Sequence, residues 1–181
     1  MSWKTIETRT EFEASYVTVK KDKVQLPDGS IIEDFFTVKI QDASLIVALT
    51  PDNEILLKSE YRYACKADVV ECPAGMIEAD EDAYAAAKRE LYEETGYTST
   101  DWTYLGPTWE STSKLTNTMH LFIAKKCQRI SDQQLDSNEH LDVIIIPFST
   151  AVNMVMAGTI NANSSAHAIL KAEELRRRGE L

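Results

Sequence analysis

The amino-acid sequence predicts an α+β sandwich, and three observations support this fold class. Segments rich in β-branched and aromatic residues occupy much of the first third of the 181-residue chain. One stretch with helical periodicity follows at residues 81–95, and further strand-like runs come after it. Strands on both sides of a central helix are typical of α+β folds, in which helices cover a sheet.

The predicted elements follow in chain order. Four strands, several of them expected to pair antiparallel, are predicted at residues 14–20, 31–39, 44–49 and 54–58. Turn residues at 27–29 and 51–53, Pro-Asp-Gly and Pro-Asp-Asn, separate these strands. After the helix at 81–95, strands are predicted at 102–106, 118–125 and 141–147, and helices at 148–157 and 163–178.

Length and charge limit the possible functions. A chain of 181 residues fits one domain, or one domain with a small appendage. The formal net charge is −10, so most of the surface would repel nucleic-acid phosphates and anionic membranes. We therefore predict no nucleic-acid partner and no membrane partner. Small phosphorylated molecules remain possible ligands, because divalent cations can bridge them to carboxylates.

The cysteines and the amino terminus bear on location. Cys65, Cys72 and Cys127 are widely spaced, without a Cys-x-x-Cys pair, so we predict buried, reduced thiols and no zinc site. The amino terminus lacks a basic stretch followed by an apolar core, and no run approaches eighteen apolar residues. A cytoplasmic location is the resulting expectation.

The predicted helix at 81–95 carries an unusual concentration of acid. Glu90, Glu93 and Glu94 stand near its carboxyl end, where the helix dipole already disfavours negative charge. At about 100° per residue the three glutamates fall on one face, together with small residues that permit close packing on a sheet. These small residues are Ala83, Ala86 and Ala87.

A bound divalent cation would reverse the repulsion between these carboxylates. Like charges three or four residues apart on a helix oppose each other, and the effect grows where water is excluded. Mg²⁺ suits such a site, because it binds through a few carboxylates, waters and substrate phosphates. A solvated, Glu-rich face is the alternative interpretation.

The spacing of the acidic motif favours a metal site over a solvated face. Gly75 is followed after five residues by Glu81 and after seven more by the segment 89–97, Arg-Glu-Leu-x-Glu-Glu-x-Gly-Tyr. This stretch resembles the Nudix box, the signature of hydrolases that cleave a nucleoside diphosphate linked to another moiety. Eight of nine specified positions match, and the ninth, usually a bulky aliphatic residue, is Tyr97, which can fill the same apolar site.

The similarity extends beyond the box. ECPAG at 71–75 resembles the ELPAG segment of ADP-ribose pyrophosphatases, and ILLKSEYRYA at 55–64 resembles their preceding strand. Downstream, the likeness continues at 120–124, 137–143 and 156–161. The resemblance implies a Nudix-type α/β/α sandwich with a mixed sheet, plus an amino-terminal antiparallel β appendage.

The same resemblance implies a division of the chain and a homodimer. Residues 1–40 would form the amino-terminal β-strand region, which dimerises, and residues 41–181 the Nudix hydrolase domain. In the family these amino-terminal strands help to complete the partner's active site. Phe35 is the candidate there for stacking on the substrate, with a role in the core as the alternative.

Carried over to this sequence, the family's metal ligands are the carboxylates of Glu90 and Glu94 and the backbone carbonyl of Ala74. Glu93 would lie in or beside that set of ligands. Arg89 would orient Glu93 through a charge-assisted hydrogen bond. Mg²⁺ is the implied cofactor, with Mn²⁺ as a possible substitute.

Other motif positions would serve the loop–helix–loop and the substrate. Gly75 and Gly96 would be backbone-permissive positions at its two ends, and Glu81 a structural residue of the motif. Arg62 matches a substrate-contacting arginine, and Glu71 of ECPAG would also face the substrate.

The implied chemistry is substitution at phosphorus by water. Metal ions would neutralise the diphosphate and activate the water, while a carboxylate takes the proton. The base would be Glu139, from the loop before the strand at 141–147, with Glu93 as the alternative. On this assignment, Glu94→Gln should reduce turnover by orders of magnitude while leaving the fold intact or stabilised, because repulsion would be relieved.

The substrate is left open by departures from the ADP-ribose pattern. Glu60 replaces a common glutamine, Cys72 changes ELPAG to ECPAG, and residues 109–117 replace a Ser-Pro-Gly turn. ADP-ribose, cleaved to AMP and ribose 5-phosphate, is the predicted substrate, and another nucleotide sugar such as GDP-mannose is the alternative. A non-catalytic nucleotide sensor of the same fold is a further alternative, although the box carboxylates are retained.

Overall fold

The computed structural model describes residues 2–181, which form two compact units. The smaller unit comprises residues 2–42 and 109–118, and the larger comprises residues 43–108 and 119–181. The functional division at residue 40 remains a prediction. No helix within residues 2–181 is long and apolar enough to span a membrane.

The smaller unit is an antiparallel meander of three strands. These strands are β1 (Lys4–Ala14), β2 (Val17–Gln25) and β3 (Ile31–Ile40), paired in the order β1-β2-β3. The segment 109–118 joins the unit through a parallel bridge between Val38 and Leu115. The Thr118 N–H also donates to the Asp42 carboxylate at 2.7 Å.

The larger unit is built on a mixed seven-stranded sheet. Its main path is β12-β5-β4-β10-β9, with β6 paired to β5 and β7 paired to β4. Strands β4 and β10 run parallel, whereas β4 with β5 and β5 with β12 run antiparallel. The strands are β4 (Ala43–Leu49), β5 (Glu54–Arg62), β6 (Ala67–Glu71), β7 (Ala74–Met76), β9 (Asp101–Trp109), β10 (Thr118–Lys125) and β12 (Leu141–Pro147). A two-stranded ribbon pairs β8 (Tyr97–Thr98) with β11 (Gln128–Arg129).

Helices cover both faces of this sheet, which confirms the predicted α/β/α sandwich. The helices are α1 (Ala83–Thr95), α2 (Phe148–Met156) and α3 (Asn163–Arg177). Alternation along β4 divides the core, because successive side chains of a strand point to opposite faces. Ile46 packs with Leu91 of α1, whereas Val47 packs with Phe148 of α2 and Ile169 of α3.

Several sequence predictions are corrected by the structure. Strand β1 was not predicted, because its residues are exposed throughout and only Ile6 and Phe12 are large apolar residues, although charged and uncharged residues alternate from 6 to 14. The strand predicted at 14–20 begins at Val17, since residues 15–16 form the turn between β1 and β2. Strands β6 and β7 were also missed, as both are short. The helix expected at 81–95 begins at Ala83.

The cysteines are free thiols with different surroundings. Cys72 and Cys127 are buried, and burial raises the pKa of each thiol to about 12. Cys65 is exposed, so the expectation that it is buried was wrong. The reason is its position in the turn that joins β5 to β6.

Candidate active site

Helix α1 is fixed at both ends. The Asp82 carboxylate caps the amino terminus by accepting from the Ala85 N–H at 2.8 Å. The Ser44 hydroxyl, on β4, donates to the Ala83 carbonyl at 2.7 Å and ties the first turn to the sheet. At the other end Gly96 adopts the left-handed conformation (φ 73°), which ends the helix at low cost for a residue without a Cβ.

The sheet-facing side of α1 brings acid into the interior. Ala86 and Ala87 are fully buried, so the helix backbone lies close to the sheet. The same face carries Glu90 and Glu94, which are only 8% and 3% exposed. The Glu93 side chain, on the flank of this face, is 37% exposed. Close packing by small residues therefore removes two of the three glutamates from bulk water.

Glu94 lies between a buried ammonium and a backbone N–H. Its Oε1 is hydrogen-bonded and ion-paired to Lys58, and its Oε2 accepts from the Ala74 N–H at 3.0 Å. The Lys58 ammonium also donates to the Ala74 carbonyl at 3.3 Å. Burial raises the pKa of the Glu94 carboxyl to about 7, although Lys58 acts in the opposite direction.

Arg89 gathers the remaining acids of the motif. Its guanidinium donates to Glu81 at 2.5 Å, to Glu90 at 2.7 Å and to Glu93 at 3.1 Å. Another N–H of the Arg89 guanidinium donates to the Met76 carbonyl at 2.9 Å and joins the helix to strand β7. Hydrogen bonding from Arg89 lowers the pKa of Glu81, whereas burial raises the pKa of Glu90 in spite of Arg89.

Gly75 is required by the position of Glu90. A Cβ at residue 75 would collide with the Glu90 carboxylate. The carboxylate therefore occupies the space that any other residue at 75 would fill. This contact couples strand β7, which contains Ala74, to the buried acid of the helix.

We expect Gly75→Ala to separate activity from stability. The added methyl group would displace the flexible end of Glu90, so unfolding free energy should fall by only about 1 kcal/mol. Turnover should fall by roughly 10²-fold, because a carboxylate would leave its position in the site. Nucleotide-sugar hydrolysis and urea unfolding measure the two effects.

The neighbouring exposed residue supplies the control for that variant. Met76→Ala alters the same strand, β7, without adding an atom against Glu90 and should leave both turnover and unfolding free energy nearly unchanged. Full activity in Gly75→Ala would show that the position of Glu90 does not matter for turnover.

A chain of ion pairs extends from Glu94 along β5. Lys58, Glu60 and Arg62 stand two residues apart, so they share the α1-facing side of the strand. Glu60 lies 3.6 Å from the Lys58 ammonium and accepts from Arg62 at 3.1 Å. Arg62 in turn donates through Nε to Glu71 at 2.8 Å. The two predicted substrate-contacting residues are thus linked to the predicted metal ligands.

Sequence reasoning missed the role of Lys58. The side chain is 2% exposed, although it belongs to a lysine. The sequence did contain a signal for this burial, because Lys58 follows directly after the apolar run 55–57 within a predicted strand. Burial of a lysine without a counter-charge is very costly, so such a position predicts an acidic partner nearby.

The donor atoms of this site fit a hard divalent cation. Among residues 2–181, no three His, Cys, Asp or Glu side chains converge as a ready-made metal cluster. The oxygens of Ala74 and Glu94 nevertheless already hold a cation, the ammonium of Lys58. Carbonyl and carboxylate oxygens are the ligands that Mg²⁺ prefers.

The balance of charges in the site also favours binding of a divalent cation. Three protein cations, Lys58, Arg62 and Arg89, pair with six carboxylates and leave a formal surplus of three negative charges. The six acids are Glu60, Glu71, Glu81, Glu90, Glu93 and Glu94. A divalent cation would offset much of that surplus.

Two predicted site residues lie outside these networks. The half-buried Glu139 accepts from the Asp136 N–H at 3.2 Å, within the loop that precedes β12. Phe35 belongs to the smaller unit, where its ring meets Trp3 edge-on at 5.5 Å. The Lys114 ammonium stands 4.6 Å from the centre of the same ring. Their catalytic and substrate-binding roles remain predictions.

The fold has a counterpart among solved structures. A crystal structure of an ADP compounds hydrolase superposes with a TM-score of 0.84, covering 100% of this chain and 98% of that one at 21% identity. This similarity shows the fold. It matches the sandwich of the larger unit and includes the amino-terminal strands.

Sequence comparison identifies the family. The model of the NUDIX domain matches residues 39–165, which include α1 and the strands around it. The chain therefore belongs to the Nudix family and is a Nudix hydrolase, an enzyme class that acts on nucleoside diphosphate derivatives. The model of the nucleoside diphosphate sugar hydrolase N-terminal domain matches residues 3–38.

Two relatives are similar over nearly their whole length. The methanol dehydrogenase activator of Bacillus methanolicus is 30% identical over 167 residues, covering 92% of this chain and 90% of the relative. The ADP-ribose pyrophosphatase of Bacillus subtilis strain 168 is 28% identical over the same shares of the two chains. Within its family, this hydrolase is ADP-ribose pyrophosphatase-like.

Proposed function

We propose that this Nudix hydrolase cleaves the diphosphate bond of ADP-ribose in the presence of Mg²⁺, releasing AMP and ribose 5-phosphate. One observation carries the proposal: α1 buries Glu90 and Glu94 beside the Ala74 carbonyl, and two of these three groups already share the Lys58 ammonium. The likeness to an ADP-ribose pyrophosphatase and the matched amino-terminal domain support the choice of substrate.

Metal binding would fall to the oxygens on this face of the sheet. Ala74, Glu90 and Glu94 would hold Mg²⁺, with Mn²⁺ as a substitute, and Glu93 would lie in or beside the set. The bound ion would neutralise diphosphate charge and favour deprotonation of the attacking water. Arg89 orients Glu90 and Glu93 through hydrogen bonds of 2.7 and 3.1 Å.

Arg62 is suited to bind the substrate's anionic group. Its guanidinium is fixed by Glu60 and Glu71, yet 40% of the side chain remains exposed. A guanidinium held in place by its own acids loses little freedom on meeting a phosphate. Glu71 would position Arg62 and face the substrate with it.

The proton of the attacking water requires a base. Glu139 is our candidate, since its loop bond to the Asp136 N–H is the type of contact that a substrate-induced loop movement could break. Glu93 is the alternative, because its side chain is more exposed than that of Glu90 or Glu94. Comparing the pH profiles of Glu139→Gln and Glu93→Gln would distinguish them, as loss of the base removes the acidic limb of the profile.

A panel of nucleoside diphosphate sugars tests the reaction. Purified enzyme is incubated with each compound and Mg²⁺, and a coupled phosphatase releases phosphate only from the cleaved monophosphates. We expect ADP-ribose to give the highest kcat/KM, EDTA to abolish turnover, and Mg²⁺ or Mn²⁺ to restore it. A Glu94→Gln preparation purified in parallel controls for contaminating hydrolases.

Three other outcomes would correct the proposal. Preferred turnover of GDP-mannose would retain the chemistry and replace the substrate. Turnover that persists in EDTA would show that the reaction does not require a divalent metal. Binding of a nucleotide sugar by calorimetry, without cleavage under either metal, would indicate a non-catalytic sensor.

We also infer that the enzyme is a cytoplasmic homodimer that associates through its smaller unit. Large apolar side chains are exposed on that unit, and such patches mark association surfaces. They are Trp3, Ile6, Phe12, Ile31 and Phe36. Phe35 would reach the partner's substrate in this arrangement. Reduced thiols at Cys72 and Cys127 suit the cytoplasm.

The dimer leads to a defined prediction. The double variant Ile6→Glu/Phe12→Glu should be a monomer, because two charges would be placed in an apolar interface. Light scattering after size exclusion gives the mass directly. Glu11→Gln, on the same strand, should remain dimeric. A wild-type protein that is monomeric at tens of micromolar would contradict the inference.

A further inference from the structure

We propose that Lys58 is an internal cation that competes with the divalent ion for the oxygens of Ala74 and Glu94. This inference rests on the proposed metal site and concerns how its ligand oxygens are held in place before the metal binds. In the absence of metal the ammonium holds the two oxygens together. When the ion arrives, the ammonium moves from Glu94 toward Glu60.

The contacts of Lys58 support this role. Its ammonium meets Ala74 O at 3.3 Å and is bonded to Glu94 Oε1, and these are two of the three predicted metal ligands. A cation that uses the same oxygens as the metal must leave them, or share them, when the metal binds. The Lys58 side chain is only 2% exposed, so an ammonium displaced from these oxygens needs another partner inside the protein.

Glu60 provides the alternative partner. Its carboxylate lies 3.6 Å from the Lys58 ammonium and is itself only 19% exposed. Because residues 58 and 60 lie on the same face of β5, a rotation of the lysine side chain suffices to exchange one carboxylate for the other. Glu60 also contacts Arg62 at 3.1 Å, so the movement would reach a substrate-binding residue.

A purely structural ion pair does not account for this arrangement as well. A buried ion pair is often no more stabilising than well-packed apolar residues, and the neighbouring positions Ile55, Leu56 and Leu57 are apolar and fully buried. A lysine at 58 costs desolvation that an aliphatic residue would avoid. Competition with a metal gives the charge a function at that position.

Measuring Mn²⁺ binding tests the inference without reference to turnover. The dissociation constant is obtained from the electron paramagnetic resonance signal of free Mn²⁺, for the wild type and for Lys58→Met. We expect Lys58→Met to bind Mn²⁺ at least tenfold more tightly, because the competing cation is gone. Its melting temperature should also rise more on addition of Mn²⁺ than that of the wild type.

A double-mutant cycle separates competition from simple charge effects. Glu60→Gln alone should weaken Mn²⁺ binding several-fold, because the displaced ammonium loses its second partner. In Lys58→Met/Glu60→Gln the loss at 60 should vanish and binding should stay as tight as in Lys58→Met. Additive effects of the two changes would overturn the competition. The double variant also removes one of the two acids that Lys58 neutralises, so it can be measured if Lys58→Met fails to fold.

A matched control and the remaining outcomes complete the test. Lys125→Met removes a partly buried lysine that pairs with Asp101 at 3.2 Å, and it should leave Mn²⁺ affinity unchanged. Equal or weaker Mn²⁺ binding in both variants that lack Lys58 would refute competition by Lys58 but would leave the proposed metal site intact. Absence of Mn²⁺ binding in the wild type and in every variant would refute both this inference and the proposed metal site.

Discussion

Glu94→Gln is expected to lower turnover by roughly a thousandfold. The substitution keeps the shape of the side chain but removes the charge that would hold the metal. Its amide can still accept the hydrogen bond that the Ala74 N–H donates at 3.0 Å. Initial rates with ADP-ribose at saturating Mg²⁺ measure the effect on kcat.

The structure adds a contribution to stability that the sequence alone did not reveal. Three crowded glutamates predicted relief of repulsion, and hence a stable or stabilised variant. In the structure, Glu94 is the closest partner of the buried Lys58, so the substitution leaves an ammonium partly uncompensated. Breaking a buried pair costs up to about 3 kcal/mol, whereas the burial that raises the pKa of Glu94 favours a neutral side chain at this position and offsets part of that cost. The remaining contacts of Lys58 with Ala74 and Glu60 would offset part of that cost.

Urea unfolding in EDTA measures the contribution of the Lys58–Glu94 pair to stability, since no bound metal then contributes. Glu78→Gln makes the same chemical change on an exposed residue of the loop before α1 and should alter neither rate nor stability. A Glu94→Gln variant with wild-type turnover would disprove the metal assignment. A variant more stable than the wild type would disprove the importance of the Lys58 pair.

Arg89→Met is expected to damage both stability and activity. Arg89 is the common donor to Glu81, Glu90 and Glu93, and it also holds the Met76 carbonyl. Its removal would leave carboxylates facing one another without a cation. We expect a loss of about 3 kcal/mol in unfolding free energy and of at least roughly 10²-fold in kcat.

Arg89→Lys provides a comparison, because it keeps the charge but cannot reproduce a planar, multidentate donor. It should recover part of the stability and little of the activity. The adjacent Lys88→Met, whose ammonium lies 4.2 Å from the centre of the Tyr84 ring, controls for loss of a positive charge on α1. Wild-type turnover in Arg89→Met would show that the orientation of Glu90 and Glu93 is not needed.

Local pattern was sufficient to predict the acidic helix. A helical face that begins with alanines and ends with glutamates predicted that all three carboxylates would leave bulk water. Glu90 and Glu94 are buried, whereas Glu93 lies on the flank of that face and is 37% exposed. Helical periodicity and motif spacing belong to the single segment 75–97, so no distant contact is needed to recognise them. Tyr97 packs against the apolar cluster beneath α1, as expected for its position in the motif.

The amino-terminal strand shows where such patterns fail. All eleven residues of β1 are exposed, so its strand pattern is an alternation of charged and uncharged residues from 6 to 14 and not a row of buried apolar side chains. Its pairing with β2 is made by the backbone and does not require large apolar side chains. Exposed apolar residues there, such as Ile6 and Phe12, acquire meaning only once the strand is known.

From the sequence alone came the sandwich, the helix that carries the acids and the family to which they point, because these depend on periodicity and spacing within short segments. The partner of each charge depended on the tertiary structure. Lys58 and Glu94 are 36 residues apart and meet only because α1 packs against the face of the sheet to which β5 directs its lysine. Packing thus placed a cation among the acids and added a cost to neutralising one of them.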